Sequence, residues 1–346
     1  MLAPIMHRMP PHGYGPWEQV VSDLTEGLVD AGHHVILFAP AGSDTRAELI
    51  ATVPFPLAHW PEDSPPDHRV WEEIHMAVMA EQVADGDFDI IHSHLNVHPL
   101  GYAHLVPVPM VTTLHGAAWN RGVHPALRKY RDMPFVSLSE AERGLFPGLN
   151  YIATVFNGIN TNDFTAGQGK GGYLLFAGRM APEKQPHVAI EVAQLSGRPI
   201  KLAGMIEDQH RDYFTTKVAP MTGDPMVEYL GDLERQELAG VYGAASAVIM
   251  PLAWDEPFGL VVVESLASGT PVIGWNRGAL PELITDGVTG AIVDDVSGAV
   301  SAVAIIDQLD RSACRRDAET RFSVPAMTEG YFAAYQQVVE GSQLIS

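Results

Sequence analysis

Two doubly wound, Rossmann-like α/β domains with parallel sheets are predicted by three features of this chain. Short apolar runs alternate with amphipathic helical stretches almost from end to end. A Gly-, Asn- and Thr-rich break, Asn157 to Gly172, divides that alternation into two similar halves. The length, 346 residues, exceeds what one hydrophobic core usually serves. Short buried strands alternating with helices call for parallel sheets covered on both faces. The expected domains are residues 1–160 and 161–326, facing one another across a central cleft of the kind that takes small ligands.

Taken in order, Met1-Leu-Ala-Pro4 reads as the end of a short first strand. The turn Pro10-Pro-His-Gly13-Tyr-Gly15-Pro-Trp-Glu18 opens a helix from Trp17 to Ala31. Strand-like runs follow at His34–Ala39, Phe88–His92, Val108–Leu114 and Pro134–Leu138, closed by proline or polar residues. The second half repeats the theme at Tyr173–Ala177, Pro199–Ala203, Met226–Leu230, Ala247–Pro251, Pro271–Gly274 and Gly290–Val293. Amphipathic stretches Glu234–Ala245 and Met327–Val339 predict further helices. The break at 157–172 has no apolar period and reads as an interdomain linker.

Composition excludes several classes. A net charge of −21, with only five lysines, argues against nucleic acid and against an anionic membrane face. The same acidity is also what plain solubility would produce. No apolar run approaches the length of a membrane span, and no basic region precedes the short apolar start. A cytoplasmic protein is the natural expectation. Cys314 stands alone, which leaves no internal disulfide and no cysteine-based zinc site.

The residues that carry chemistry cluster at strand-to-helix turns. Glu256 and Glu264, with seven residues between them, flank the turn Pro257-Phe258-Gly259 and the apolar run after it. A carboxylate in that run is costly unless something hydrogen-bonds to it, which points to a ligand. Arg179 and Lys184 bracket another such turn, Gly178-Arg179-Met-Ala-Pro182-Glu-Lys184. A planar fork and a point charge together suit a diphosphate, and cations at a helix start otherwise oppose its dipole. A surface Arg and Lys is the plainer alternative. His115-Gly116 ends one strand and His92-Ser-His94 another. Without an HExxH or carboxylate cluster they read as polar cleft residues, not metal ligands. Gly13-Tyr-Gly15 is not a GxGxxG fingerprint, and by itself suits an ordinary turn.

Together these residues resemble the family 4 glycosyltransferases. The resemblance covers almost the whole chain. It rests on Gly13-Tyr-Gly15, His115-Gly116, Asn157-Gly-Ile-Asn, Gly178-Arg179…Lys184, Tyr229-Leu-Gly-Asp-Leu, Glu256-Pro-Phe-Gly-Leu-Val-Val-Val-Glu264, Gly269-Thr-Pro-Val and Gly278-Ala-Leu-Pro-Glu282. It implies the GT-B fold, with residues 327–346 forming a final helix that packs back on the first domain. It implies a retaining, metal-independent transferase that needs no cofactor beyond its nucleotide-diphosphate sugar. Arg179 and Lys184 would hold the diphosphate. Glu256, with the backbone N–H groups of Phe258, Gly259 and Leu260, would hold the transferred sugar, and Glu264 the ribose. His115 would lie near the reacting carbon, Tyr229 and Leu230 would read the base, and Gly15 would face the donor. Pro16 replaces the second glycine usual in that first turn and removes one backbone donor.

The acceptor is expected to be a small molecule or glycan. Candidates on that side are Trp60, Trp71, His75, Trp119 and Arg121. The stretch Pro61 to Asp87 is acidic, with Glu62, Asp63, Asp67, Glu72, Glu73, Glu81, Asp85 and Asp87 against Arg69, so a soluble acceptor fits better than a membrane lipid. Two other readings keep the same architecture: a hydrolysing nucleotide-sugar epimerase, and a non-catalytic two-lobed sugar-binding protein.

Overall fold

The computed structural model describes residues 1–13, 15–61 and 66–343. Tyr14, Glu62 and Asp63 lie outside the described residues. The chain forms two compact units, Met1–Gly158 with Val324–Ser346, and Ile159–Ser323.

The first unit holds β1 (Ile36–Pro40), β2 (Glu48–Val53), β3 (Ile91–Ser93), β4 (Met110–Thr113), β5 (Phe135–Ser137) and β6 (Tyr151–Thr154). Two parallel groups form, β1-β2 and β3-β4-β5-β6. Leu2 joins them. Its N–H donates to the His92 carbonyl at 2.8 Å, its carbonyl accepts from His94 N–H at 3.0 Å, and Phe38 N–H donates to Met1 O at 2.9 Å. The opening residues thus act as a one-residue central strand, and the winding reverses between Leu2 and β3. Strands β2 and β6 escape a reading by apolar runs because both lie at edges and are only partly buried.

The second unit holds β7 (Leu174–Ala177), β8 (Ile200–Ala203), β9 (Val227–Gly231), β10 (Ala247–Met250), β11 (Val272–Trp275) and β12 (Gly290–Val293). Their order is β9-β8-β7-β10-β11-β12, with all neighbours parallel. The winding reverses between β7 and β10, the place where open α/β sheets leave a crevice at their carboxyl ends. Phe176, Leu202, Ile249 and Ile273 are buried with Ile190 and Ala193 of Pro186–Ser196 and Val303 of Val296–Val303. Each large side chain so buried is worth roughly 1.5–3 kcal/mol.

The units divide between Gly158 and Ile159, inside the break expected as an interdomain linker, but the glycines of that break are packed into the second unit. Gly167 N–H donates to Ser268 O at 2.9 Å, Gly169 N–H to Gly243 O at 3.1 Å, and Gly171 N–H to Ala244 O at 2.9 Å. A Cβ on Gly167 would stand 1.9 Å from the Gly243 carbonyl oxygen. Arg311 also donates to Gly167 O. Absence of an apolar period marked a close backbone approach here, not slack chain.

The last helix, Val324–Gln343, belongs to the first unit. It lies against Pro16–Asp30 closely enough that a Cβ on Gly27 would meet Thr328 Oγ1 at 2.2 Å. Tyr331 and Tyr335 are buried from this helix. Among the described residues no helix is long and apolar enough to cross a membrane.

Candidate functional site

In the second unit, the loops after β7 and β10 meet at the reversal point. Lys184 Nζ forms an ion pair with Glu256 Oε2. Trp254 Nε1–H donates to the same oxygen at 3.0 Å, and its ring lies 5.1 Å from Lys184 Nζ. The two loops are also tied by backbone, Ala253 N–H to Glu183 O at 2.8 Å. Arg179 pairs with Glu207 Oε2 at 2.5 Å and with Glu183 Oε1 at 2.9 Å. The expected pair of cations is therefore present, but each already faces a carboxylate of its own unit. Counter-ions, and not only a bound anion, account for cations at this helix start.

Two glycines explain how the loops come so near. Gly204, after β8, has φ +143°, and a Cβ there would stand 2.0 Å from Gly178 O. Gly278 has φ +56°, and a Cβ would stand 2.3 Å from Glu256 N. Ala279 N–H donates to Glu256 O at 2.8 Å, and Arg277 pairs with Asp255 at 3.2 Å. The run Gly278–Glu282 thus fixes the Glu256 backbone from behind.

Glu264 sits within Leu260–Ala267, a helix whose N-cap, Gly259, has φ +110° and whose first turn has no side-chain cap. Tyr242 OH donates to Glu264 Oε2 at 3.1 Å. Burial holds the Glu264 carboxyl above its ordinary range, opposed by the charge of Arg235 and by that phenol. Phe258 is buried beside Phe322, with ring centroids 6.3 Å apart. Tyr229 and Leu230 lie in β9, where Tyr229 OH donates to Gly204 O at 2.8 Å and its ring packs on Phe214. The structure joins Lys184 and Trp254 to Glu256, pairs Arg179 with Glu183 of the same loop and with Glu207, and gives Glu264 a buried phenol partner. Glu183, Glu207, Trp254 and Tyr242 were not singled out in the sequence. Acidic residues in a chain of 42 Asp and Glu carry no signal of their own.

The first unit arranges different chemistry at its own reversal point. His115 follows β4 with φ +45°, and Gly116 has φ +82°. Two successive left-handed residues turn the chain sharply, a conformation that costs a side-chain-bearing residue. Glu142 holds this turn: Oε1 accepts from Gly116 N–H at 2.5 Å and Oε2 from Leu138 N–H at 2.7 Å. Burial raises the Glu142 carboxyl to about 7. His115 Nε2 and His94 Nδ1 stand 2.7 Å apart, and the Trp17 ring lies 5.3 Å from His115. His94 stacks on His92 at 4.0 Å. His92 bonds Thr113 Oγ1 at 2.8 Å and Tyr335 OH at 2.7 Å. Burial lowers His115 to about 3 and His92 and His94 well below 6.5, so all three are neutral at pH 7.

Gly15 caps Pro16–Asp30, where a Cβ would meet Pro11 Cβ at 2.6 Å. The acceptor-side expectations separate. His75 is a core residue, bonded to Thr52 Oγ1 at 2.6 Å and Ala3 O at 3.0 Å. Trp60 and Trp71 pack on one another and on Ile5, Val53 and Leu57. Only Trp119 and Arg121 of that set are exposed. Among the described residues no group of three or more His, Cys, Asp or Glu side chains is placed to hold a metal ion.

Comparison with known proteins agrees with this layout. Residues 17–145 match the family Glycosyltransferase Family 4, and residues 161–321 match Glycosyl transferases group 1. The chain is 31% identical over 263 residues to a Mycobacterium tuberculosis glycogen synthase, covering 66% of this chain and 62% of that protein. The chain thus spans less than two thirds of that relative's length. It is 28% identical to a D-inositol 3-phosphate glycosyltransferase of Pseudarthrobacter chlorophenolicus, covering 90% and 86%. Among solved structures, a Thermosynechococcus elongatus sucrose-phosphate synthase is similar with TM-score 0.77 and 18% identity, over 98% of this chain and 96% of that one. A glycosyltransferase involved in avilamycin A biosynthesis is similar with TM-score 0.73 and 24% identity, over 97% and 93%. These are GT-B folds, and the two parallel-sheet units share that architecture.

Proposed function

Because the chain belongs to the family 4 glycosyltransferases, we propose that it moves a sugar from a nucleotide-diphosphate sugar to the hydroxyl of a soluble acceptor, with retention and without a metal. The observation that carries this reading is the crevice at the reversal point of the second unit. Lys184, Glu256 and Trp254 converge there, with Arg179 one loop turn away.

In this proposal the donor diphosphate takes the place of carboxylates on Arg179 and Lys184. Rupture of the bond from the anomeric carbon to phosphate leaves negative charge on the departing diphosphate. Two preorganised cations and the uncapped start of Leu260–Ala267 stabilise it. Glu256, released from Lys184, accepts hydrogen bonds from hydroxyls of the transferred sugar, aided by the N–H groups of Phe258, Gly259 and Leu260. Glu264 accepts from the ribose hydroxyls, and β9 at Tyr229 and Leu230 borders the base. Within the first unit, His115 and Gly15 are the candidates for the donor-side roles that the family resemblance implies. Retention is front-face transfer, with the leaving phosphate taking the acceptor proton.

A soluble acceptor is supported by the acidic helix His68–Asp85, which carries Glu72, Glu73, Glu81 and Asp85. A relative named for D-inositol 3-phosphate supports it as well. A thermal-shift screen of uridine, guanosine and adenosine diphosphate sugars identifies the donor. Similar structures solved with UDP and with UDP and glucose make UDP-glucose the first to try. Release of nucleoside diphosphate only on addition of an acceptor supports transfer. Release without acceptor, with inversion of a sugar carbon, supports an epimerase and overturns the proposal.

A further inference from the structure

The His94–His115 contact has two ends, and they differ. Between the rings only one proton is shared, so one imidazole donates and the other accepts. At the inner end, His94 is fully buried and its Nε2 meets no hydrogen-bond partner. At the outer end, His115 is partly exposed and its Nδ1 bonds no described residue.

Two proton arrangements satisfy the contact. If His115 donated from Nε2, the proton of His94 would sit on its own Nε2 as a buried N–H with no acceptor, costing about 1–3 kcal/mol. If His94 donates from Nδ1, its buried Nε2 is a bare lone pair and the proton of His115 rests on Nδ1. Orphaned buried N–H groups are rarer in proteins than under-used acceptors, which selects the second arrangement. The rings are held for it. His94 lies on His92, which Thr113 and Tyr335 fix on both nitrogens, and Glu142 holds the turn that carries His115.

We infer that His94 is a positioning residue that donates from Nδ1 to His115 Nε2 and so fixes the His115 proton on Nδ1, facing outward. There it is a neutral donor for a hydroxyl oxygen of the transferred sugar. That use rests on the transferase reading; the tautomer does not.

The test is two-bond proton–nitrogen NMR on the full chain labelled with 15N-histidine, with the His115 signals identified by their loss in His115→Gln. At pH 7 the expected pattern is protonated Nδ1 and bare Nε2 on His115, which the wild-type spectrum decides without any further variant. In His94→Phe the proton moves mainly to Nε2, the form an unconstrained imidazole prefers. In His94→Asn, whose amide N–H stands where Nδ1–H stood, it stays on Nδ1. Kinetically, His94→Phe lowers kcat about ten-fold with little change in donor KM, and His94→Asn recovers most of it. A wild-type His115 protonated on Nε2, or a tautomer unmoved in His94→Phe, overturns the inference. Expected tautomers in a chain that transfers no sugar instead overturn the proposed function.

Discussion

The two reversal points of this chain solve one geometric problem with opposite chemistry. Each unit winds outward from a central strand, and each leaves a crevice where the winding turns back. The second unit fills it with full charges, Lys184 against Glu256 and Arg179 against Glu183 and Glu207. The first fills it with imidazoles that burial keeps uncharged, braced by one buried carboxyl. Charges paired with charges are exchangeable, since an incoming anion can take over either cation. A neutral imidazole pair is suited instead to hydroxyl groups, which want one donor or one acceptor in a fixed place.

Removing a cation from the second unit is the strongest blow to this contrast. Lys184→Ala and Arg179→Ala should each lower turnover by about two to three orders of magnitude, the scale of one lost preorganised charge contact. Steady-state rates close to wild type in either variant would remove the diphosphate role.

Acid should separate the units next. Unfolded histidine has a pKa near 6.5, whereas burial lowers His75 to about 4, His115 to about 3, and His92 and His94 well below 6.5. Below pH 6.5 the unfolded chain protonates these four histidines, which the folded first unit keeps neutral, and the buried Met1 amine, lowered to about 5, acts in the same sense, so its stability falls with acid. Glu142 and Glu18 act oppositely. Burial raises them, so their contribution is present at low pH and fades as pH rises through their folded values. Each uncompensated proton, about half-titrated on average across pH 5.5–7.5, is worth about 1.4 kcal/mol over that interval, and the lowered groups outnumber the raised carboxyls. Hydrogen exchange at pH 5.5 and 7.5, corrected for intrinsic rates, should show protection of β3 and β4 falling roughly a hundred-fold, with β7 and β10 little changed. Equal loss in both sheets breaks the comparison.

A smaller effect tests the support behind Glu256. Gly278→Ala sets a methyl group against the Glu256 backbone at a position with φ +56°. It should destabilise the protein by about 1–3 kcal/mol in urea unfolding and raise the donor KM. An unchanged midpoint and KM would show that the loop yields freely.

How much of this the residues revealed in advance follows the same division. The parallel-sheet architecture was legible because strands such as Leu174–Ala177 and Ala247–Met250 are buried throughout and read as unbroken apolar runs. The edge strands Glu48–Val53 and Tyr151–Thr154 were not, because half-buried residues blur that pattern. In the site, Arg179, Lys184, Glu256 and Glu264 stood out by charge in apolar or lysine-poor surroundings. Glu207 and Trp254 did not, since their importance comes from loops brought together by Gly204 and Gly278. His75, Trp60 and Trp71 looked like ligands, but His75 is core and the two tryptophans are partly buried against Ile5, Val53 and Leu57, because the residue type alone does not say which face of an element it occupies. Gly167–Gly172 looked loose but is packed, because glycine marks both slack chain and tight contact.

Isothermal titration of nucleoside diphosphates into wild type, Lys184→Ala and Trp119→Ala tests the central claim most directly, that the charged crevice of the second unit is the donor diphosphate site. Binding should weaken at least ten-fold in Lys184→Ala for the base that binds best, and stay unchanged in Trp119→Ala, whose side chain is exposed in the first unit. Equal affinity in wild type and Lys184→Ala would contradict the account.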